Sequence, residues 1–547
     1  MKLLSVRILS NNGFRSLAPN ELYPFDISSL KKNEISTKVF AGINGSGKSN
    51  FLELLSEIFY FLELYHLSST SEQERAHKNI GFEIEYLISL PKEFVADNYV
   101  DAQHDLYMQV RISKLLGEIP EFSIKRLQDD HYPVRIEKDT HYLLPSRVVA
   151  YTSGQNELLS NSYHKLKYHY FQNFENISTD FGNDKYRMIF LDSYVNSSVF
   201  IANMLLADQH KLTYLYKILQ INKLDSFRIT INLVDADNKP IKFHDALVNN
   251  VEKLKKCATT WVEKRVKKRL FYILDFLIAP STINAFKFHF SSAFELFKTF
   301  YDLEMLNLFL IKPTDRKLML NVDKSFNFSD DLPQSDPFRL VFRIENIKVL
   351  KTMEGKPPKA IPYRALSDGE HQFNEVIGTV LMMEEDNCLF LMDEPDTHFN
   401  PKWRAKMVKM LNYVSAVSFD AYDRVTEVRN QEIIITTHSP FVVSDTKKED
   451  VYIFEKNIAG AKYHKPEIET YGASINLILQ EVFKRDITIS DHVYSKLEDL
   501  KKDVASSRQE EELDEIRTEV FQFGESIEKF DLYNFLSIKE SEIAKQK

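Results

Sequence analysis

An α/β fold on a largely parallel sheet covered on both faces, split by a large α+β insertion and closed by a helical C-terminal tail, is what three features of the chain predict. Val39-Phe40-Ala41 enters a glycine loop, and Asn50 to Leu64 leaves it with helical periodicity. Buried apolar runs at 388–392 and 432–436 then alternate with helical patterns, as strands buried on both faces require. From residue 488 the sequence is charged and helical, with Val493, Leu497, Leu500 and Val504 at spacings of 4, 3 and 4. That stripe suits packing on its own domain better than a coiled coil, which needs three or four sustained heptads.

With 547 residues the chain exceeds one ordinary core, so two or three domains are expected. Hydrophobic residues at 44% and charged residues at 27% exclude a disordered chain. A net charge of −9 excludes a uniformly basic nucleic-acid binder while leaving room for a local basic patch. The 2 cysteines, Cys257 and Cys388, lie in apolar or helical contexts, which argues against a disulfide framework and fits a reducing cytoplasm. The N-terminus, Met1 to Leu9, alternates and carries early charge, so it reads as a strand. The best apolar run, Leu270 to Ala279, is short and interrupted by Asp275, so no membrane span is expected.

Residues 1–64 read as an N-terminal lobe of strand, loop, strand, glycine loop and helix, and the α/β character resumes at 338–487. Between them, 65–337 is expected to be an insertion with short β-rich runs (81–90, 107–112, 147–152, 227–233) and long aromatic helices over 250–278 and 285–310. Residues 488–547 form the tail, a candidate partner contact.

Gly42-Ile43-Asn44-Gly45-Ser46-Gly47-Lys48-Ser49 has the full pattern of a phosphate loop. Its glycines let Asn44, Gly45, Ser46 and Gly47 turn backbone N–H groups toward phosphate oxygens, with Asn50 in the first turn of the following helix. Lys48 supplies a point charge to the β- and γ-phosphates of ATP, and Ser49 can hold Mg²⁺. Asp393 ends a buried strand, where its carboxylate can reach the Mg²⁺ shell, and Glu394 beside it is placed to polarise the attacking water. His438 follows the strand Ile433 to Thr437 at a sheet end that opens onto the ligand crevice, in reach of the γ-phosphate. Gln155, after the apolar run Val148 to Tyr151, is a candidate sensor of Mg²⁺ and water, although a plain loop glutamine reads as well there. Leu366-Ser367-Asp368-Gly369-Glu370, upstream of Asp393, is a Ser-Gly signature that points to two heads closing around ATP.

Phosphate loop, Leu-Ser-x-Gly-Glu, Asp-Glu-Pro and Thr-His-Ser-Pro in this order resemble the ABC-type ATPase heads of the SMC and overcoming-lysogenization class, over about 1–64 and 338–480. The resemblance implies that Ser367, Gly369 and Glu370 reach the γ-phosphate held by a second copy, with Glu394 as base and His438 as switch. Asp396 to Pro401 is similar to a Glu-Pro-Glu-x-His-Leu-His-Pro stretch of such ATPases, with Phe399 and Asn400 as departures. No long heptad arm is present, and no Asp-x-Asp follows a strand after His438. Within the class the chain is therefore most similar to the PtuA-type ATPases of Septu and retron-linked anti-phage systems, in which a separate HNH endonuclease cuts. That implies a head-to-head dimer, an HNH partner, DNA or RNA, and in a retron setting a reverse transcriptase with its DNA–RNA product.

Eight basic residues between Lys253 and Arg269 read as a basic helix face able to lie along phosphates, although such runs are commonly solvated faces. Competing readings are an SMC-class DNA-repair ATPase, which needs a long arm, a transporter subunit, which needs a membrane partner, and a self-acting nuclease, which needs a second acidic cluster.

Overall fold

The apolar runs identified above lie side by side in a computed structural model of the chain. It describes residues 1–26, 33–67, 80–98, 107–127, 134–154, 157–175, 186–234, 239–241, 245–266, 269–311, 340–353, 356–485 and 487–546. A seven-stranded sheet has the order Gly460–His464, Val451–Asn457, Ser36–Ala41, Glu432–Thr436, Cys388–Asp393, Arg147–Thr152 and Met188–Phe190. Every neighbouring pair is parallel except the hairpin Val451–Asn457 with Gly460–His464 at one edge. Cys388–Asp393 is buried at all six positions, which explains a strand without polar alternation.

Lys48–His66 leaves the phosphate loop and is buried nearly all round. Phe51 packs on Phe40 and Phe454 of the parallel sheet, while Phe59 and Phe61 meet Tyr86 and Phe82. Those last two belong to a second, antiparallel sheet of six strands that includes Lys2–Ile8 and Phe82–Ile88. A helix held between two sheets has no polar face to show, hence its run of apolar residues. Its buried acids are paired: Glu53 with Arg15, and Glu63 with Tyr170 and Arg187.

A third, five-stranded antiparallel sheet runs Thr260–Val266, Arg269–Leu277, Ile221–Asn232, Phe342–Met353, Lys356–Pro362. The domain outline changes in two places as a result. Arg147–Thr152 and Met188–Phe190, expected within the insertion, are strands of the parallel sheet, because their apolar runs pair with Cys388–Asp393 and with each other. Phe342–Met353, expected in the C-terminal lobe, pairs with Ile221–Asn232, and Lys356–Pro362 pairs in turn with Phe342–Met353.

The expected long helices are also broken. Asp245–Cys257 ends before Thr259-Thr260-Trp261-Val262, a β-branched and aromatic run that becomes the hairpin Thr260–Val266 with Arg269–Leu277. The basic run therefore has no single helix face: Lys253, Lys255 and Lys256 lie on the helix, Lys264 and Arg265 on a strand, and Lys267 and Lys268 lie outside the described residues. Residues 285–310 divide at Ser291 into Pro280–His289 and Ala293–Met305, the second capped by the Ser292 hydroxyl.

The tail stripe does pack locally. Leu497, Leu500 and Val504 share a separate small core with Leu513, Val520, Leu532, Leu536 and Ile543 from the helices Glu510–Val520 and Ile527–Gln546. Among the described residues no helix is long and apolar enough to cross a membrane.

Candidate active site

Three strands that end at one edge of the parallel sheet place the site. Ser36–Ala41 runs into the phosphate loop, where Gly42, Gly45 and Gly47 take φ of 139°, 76° and 104°, a region that costs a residue with Cβ. A Cβ on Gly42 would stand 2.5 Å from the Phe454 carbonyl oxygen, so the loop is also seated too closely for a side chain. Lys48 folds back over the loop, donating from Nζ to the carbonyls of Gly42 at 3.0 Å and Ile43 at 3.1 Å. Burial pulls the Lys48 ammonium down to about 8, against the opposing pull of Glu394 and Asp393.

Ser49 Oγ donates to Asp393 Oδ1 at 2.8 Å. The same carboxylate oxygen accepts from Thr436 Oγ1 at 2.5 Å. Glu394 turns out of the strand with φ of 50°, a left-handed conformation that its backbone N–H pins by donating to Thr436 O and Oγ1. Its carboxylate reaches His438 Nε2 at 3.3 Å, and that hydrogen bond is the main reason it is held below the usual glutamate range. His438 Nε2 is also 3.2 Å from Lys48 Nζ. The structure thus brings Lys48, Ser49, Asp393, Glu394 and His438 together.

Asn44 and Gly45 are exposed at the loop tip, while Ser46 is buried and its hydroxyl has no hydrogen-bond partner among the described residues. Asn50 donates to Ser16 Oγ at 2.6 Å, a hydroxyl that also lies close against Gly47 of the loop. Gln155 lies outside the described residues, but the strand leading toward it leaves the sheet beside the site: Thr152 is in register with Asp393, and Ser153 N–H donates to the Asp393 carbonyl.

The signature opens the helix Asp368–Phe373. Ser367 and Glu370 form a capping box: the Glu370 carboxylate accepts from the Ser367 N–H at 2.9 Å, and the Ser367 hydroxyl accepts from the Glu370 N–H at 3.4 Å. Burial pushes the Glu370 carboxyl up, yet its ion pair with Lys351 and the Ser367 donors outweigh burial and hold it low. Glu370 therefore holds the signature in shape, while Ser367 is exposed and Gly369 is half-buried.

Thr436 and Gln372 carry no motif of their own in the sequence, and Asp396 enters only as the start of the Asp396 to Pro401 stretch. Thr436 follows three isoleucines in a strand buried at every position, and a hydroxyl at that strand end was the available signal. Asp396 accepts from Thr437 Oγ1 at 3.0 Å beneath the loop that follows Glu394.

The oxygen pair Ser49 Oγ and Asp393 Oδ1 is the hard-donor chemistry Mg²⁺ takes. The orphaned Ser46 hydroxyl and the glycine cradle suit phosphate oxygens, so the residues present fit Mg-ATP.

Residues 273–444 match the family model described as AAA domain, putative AbiEii toxin, Type IV TA system. The matched span contains the signature, Asp393, Glu394 and His438, and it supports an ATPase domain of the AAA/ABC class, with nucleotide binding and hydrolysis. The chain is also similar to Protein ea59 of Escherichia phage lambda, 26% identical over 107 residues, or 20% of this chain. That stretch takes in 18% of the phage protein, so the chain spans less than a fifth of its relative's length.

Proposed function

We propose that this chain is the ATP-binding and ATP-hydrolysing regulatory subunit of an anti-phage defence complex, whose heads dimerise around ATP to control an associated HNH-type nuclease acting on nucleic acid. The convergence of Lys48, Ser49, Asp393, Glu394 and His438 at one sheet edge carries the ATPase part. Lys48 would leave the loop carbonyls for the β- and γ-phosphates, and Ser49 and Asp393 would hold Mg²⁺, which neutralises phosphate charge when bound. Glu394 would take the proton of the attacking water, and His438 would orient that carboxylate.

Two heads are favoured by the signature's form. Its exposed Ser367 is presented outward by a capped helix while Glu370 faces in, as a contact meant for a second copy requires. The tail unit, with Phe521 and Phe530 exposed, is a candidate surface for the nuclease subunit.

The test is to purify the chain with and without a nuclease encoded beside it and to measure nucleic-acid cleavage with ATP, without ATP, and in Glu394→Gln. ATP- and Glu394-dependent cleavage is expected only when both proteins are present. Cleavage by the isolated chain would overturn the regulatory-subunit reading.

A further inference from the structure

Gln372 lies two residues beyond the signature, 1% exposed, with both ends of its side-chain amide engaged. Its Oε1 accepts from the His398 backbone N–H at 2.8 Å, and its Nε2 donates to the Tyr151 hydroxyl at 3.0 Å. The orientation is forced, since a backbone N–H can only donate. Tyr151 sits on the strand Arg147–Thr152, one residue before the position paired with Asp393. His398 sits in the loop that Glu394 opens, which the Glu394 carbonyl braces by accepting from the Thr397 hydroxyl at 2.9 Å. One side chain thus joins the signature helix to both segments that leave the sheet beside Asp393 and Glu394.

The neighbourhood shows why such a bond matters. A cavity of about 380 Å³ opens alongside, lined by Tyr151, Asp368, His371, Gln372, Glu375 and His398 among others. The helix borders this open cleft on one side, and Gln372 is one of the contacts that hold it to the sheet there. Gly369 supplies another: a Cβ there would stand 2.6 Å from the His398 carbonyl oxygen.

We infer that Gln372 is a positioning residue for ATP hydrolysis, locking the signature helix to the strand and loop that flank Asp393 and Glu394 so that both move as one body when two heads close. The inference rests on the two-head reading. In such a dimer the signature serves the partner's nucleotide and Glu394 serves its own, so Gln372 links the two composite sites within one chain.

Gln372→Met keeps the length of the side chain and loses both hydrogen bonds. It is expected to lower kcat at least tenfold and to weaken ATP-dependent dimerisation, read by light scattering in a Glu394→Gln background, at least tenfold. Affinity for a fluorescent N-methylanthraniloyl-ATP should stay within twofold. Tyr151→Phe should lower kcat severalfold, and it carries the test if Gln372→Met does not fold. Wild-type kcat and dimerisation in Gln372→Met, or in Tyr151→Phe where that variant carries the test, would overturn the inference. If Glu394→Gln alone forms no ATP-dependent dimer, the two-head reading itself fails, a result separate from any Gln372 phenotype.

Discussion

His438 Nε2 lies 3.3 Å from Glu394 Oε1. The same nitrogen is 3.2 Å from Lys48 Nζ, and one ring nitrogen can accept from the ammonium or donate to the carboxylate, but not both at once. Phosphate that draws Lys48 away would leave Nε2 free to donate to Glu394. Because that donation is the largest cause of the lowered Glu394 pKa, His438→Ala should let it rise. The acid limb of the kcat–pH profile should then move to higher pH, and kcat should fall by about 10²-fold, the scale of a lost acid–base partner. Phosphate release measured from pH 5 to 8 checks this, and an acid limb that stays in place would rule out the coupling.

Lys48 carries a second pH effect of opposite sign. Burial brings its ammonium to about 8, and only the protonated form attracts phosphate. ATP affinity should be nearly constant below that value and fall as pH climbs through it. With one titrating group the loss between pH 7 and pH 9 is about tenfold. Lys48→Arg, which stays charged, should bind weakly at every pH but show a flat profile. Equilibrium binding of N-methylanthraniloyl-ATP across that range distinguishes the two.

The legible parts of this molecule were those whose chemistry is local in sequence. A phosphate loop needs closely spaced glycines, Asp393-Glu394 closes one apolar strand, and His438 follows another by two residues, so each is legible from a few residues. The domain outline was harder because sheet membership is decided by partners far along the chain. Arg147–Thr152 looks like any short apolar strand until it pairs with Cys388–Asp393, some 240 residues away. Thr260–Val266 is masked in sequence by Glu263, Lys264 and Arg265, which suit a helix as well as an exposed edge strand. Gln372 and Asn196 are single amides whose partners are dispersed, and no spacing announces them.

Glu375 predicts a stability effect. Burial raises its carboxyl to about 7, although Asn196 Nδ2 donates to it at 2.6 Å. A carboxyl whose pKa is raised by folding favours the folded state only when protonated, so its contribution grows as pH falls from 7 toward its ordinary value and is absent above. Glu375→Gln removes the charge permanently. The variant should be more stable than wild type at pH 8 by roughly 1–3 kcal/mol, a discounted conversion of the shift, and the difference should shrink by pH 5. Denaturant unfolding of both proteins at the two pH values checks this, and a constant difference would show that Glu375 does not titrate there.

Nucleic-acid contact, if the proposed complex makes it through this chain, is expected on the hairpin and not on a helix. Lys264 and Arg265 are exposed on the edge strand Thr260–Val266, close to a half-exposed Trp261. Lys255 is committed elsewhere, stacked 4.5 Å from the Trp261 ring and 3.8 Å from the Tyr272 ring. Reversing Lys264 and Arg265 to Glu should lower affinity for duplex or single-stranded probes and reduce the slope of log K against log salt by about 2. An unchanged slope over a salt series would remove the hairpin from the interface.

Ser367→Arg tests the two-head reading directly. The Ser367 side chain is exposed, it bonds to Glu370 among the described residues, and it lies on the signature rather than among the groups around Lys48. An arginine there adds bulk and charge where a second head would approach, so nucleotide affinity of the single head should stay within about twofold of wild type. ATP-dependent dimerisation in a Glu394→Gln background should disappear, and turnover in the otherwise wild-type chain should fall about 10²-fold or more. Loss of the cap alone must be separated from this. Ser367→Ala removes the same hydroxyl without the bulk, should cost about 1 kcal/mol of stability, and should retain most turnover and dimerisation. If Ser367→Ala and Ser367→Arg lose activity equally, the serine acts through its cap. If neither loses activity, the signature does not complete a second head's site.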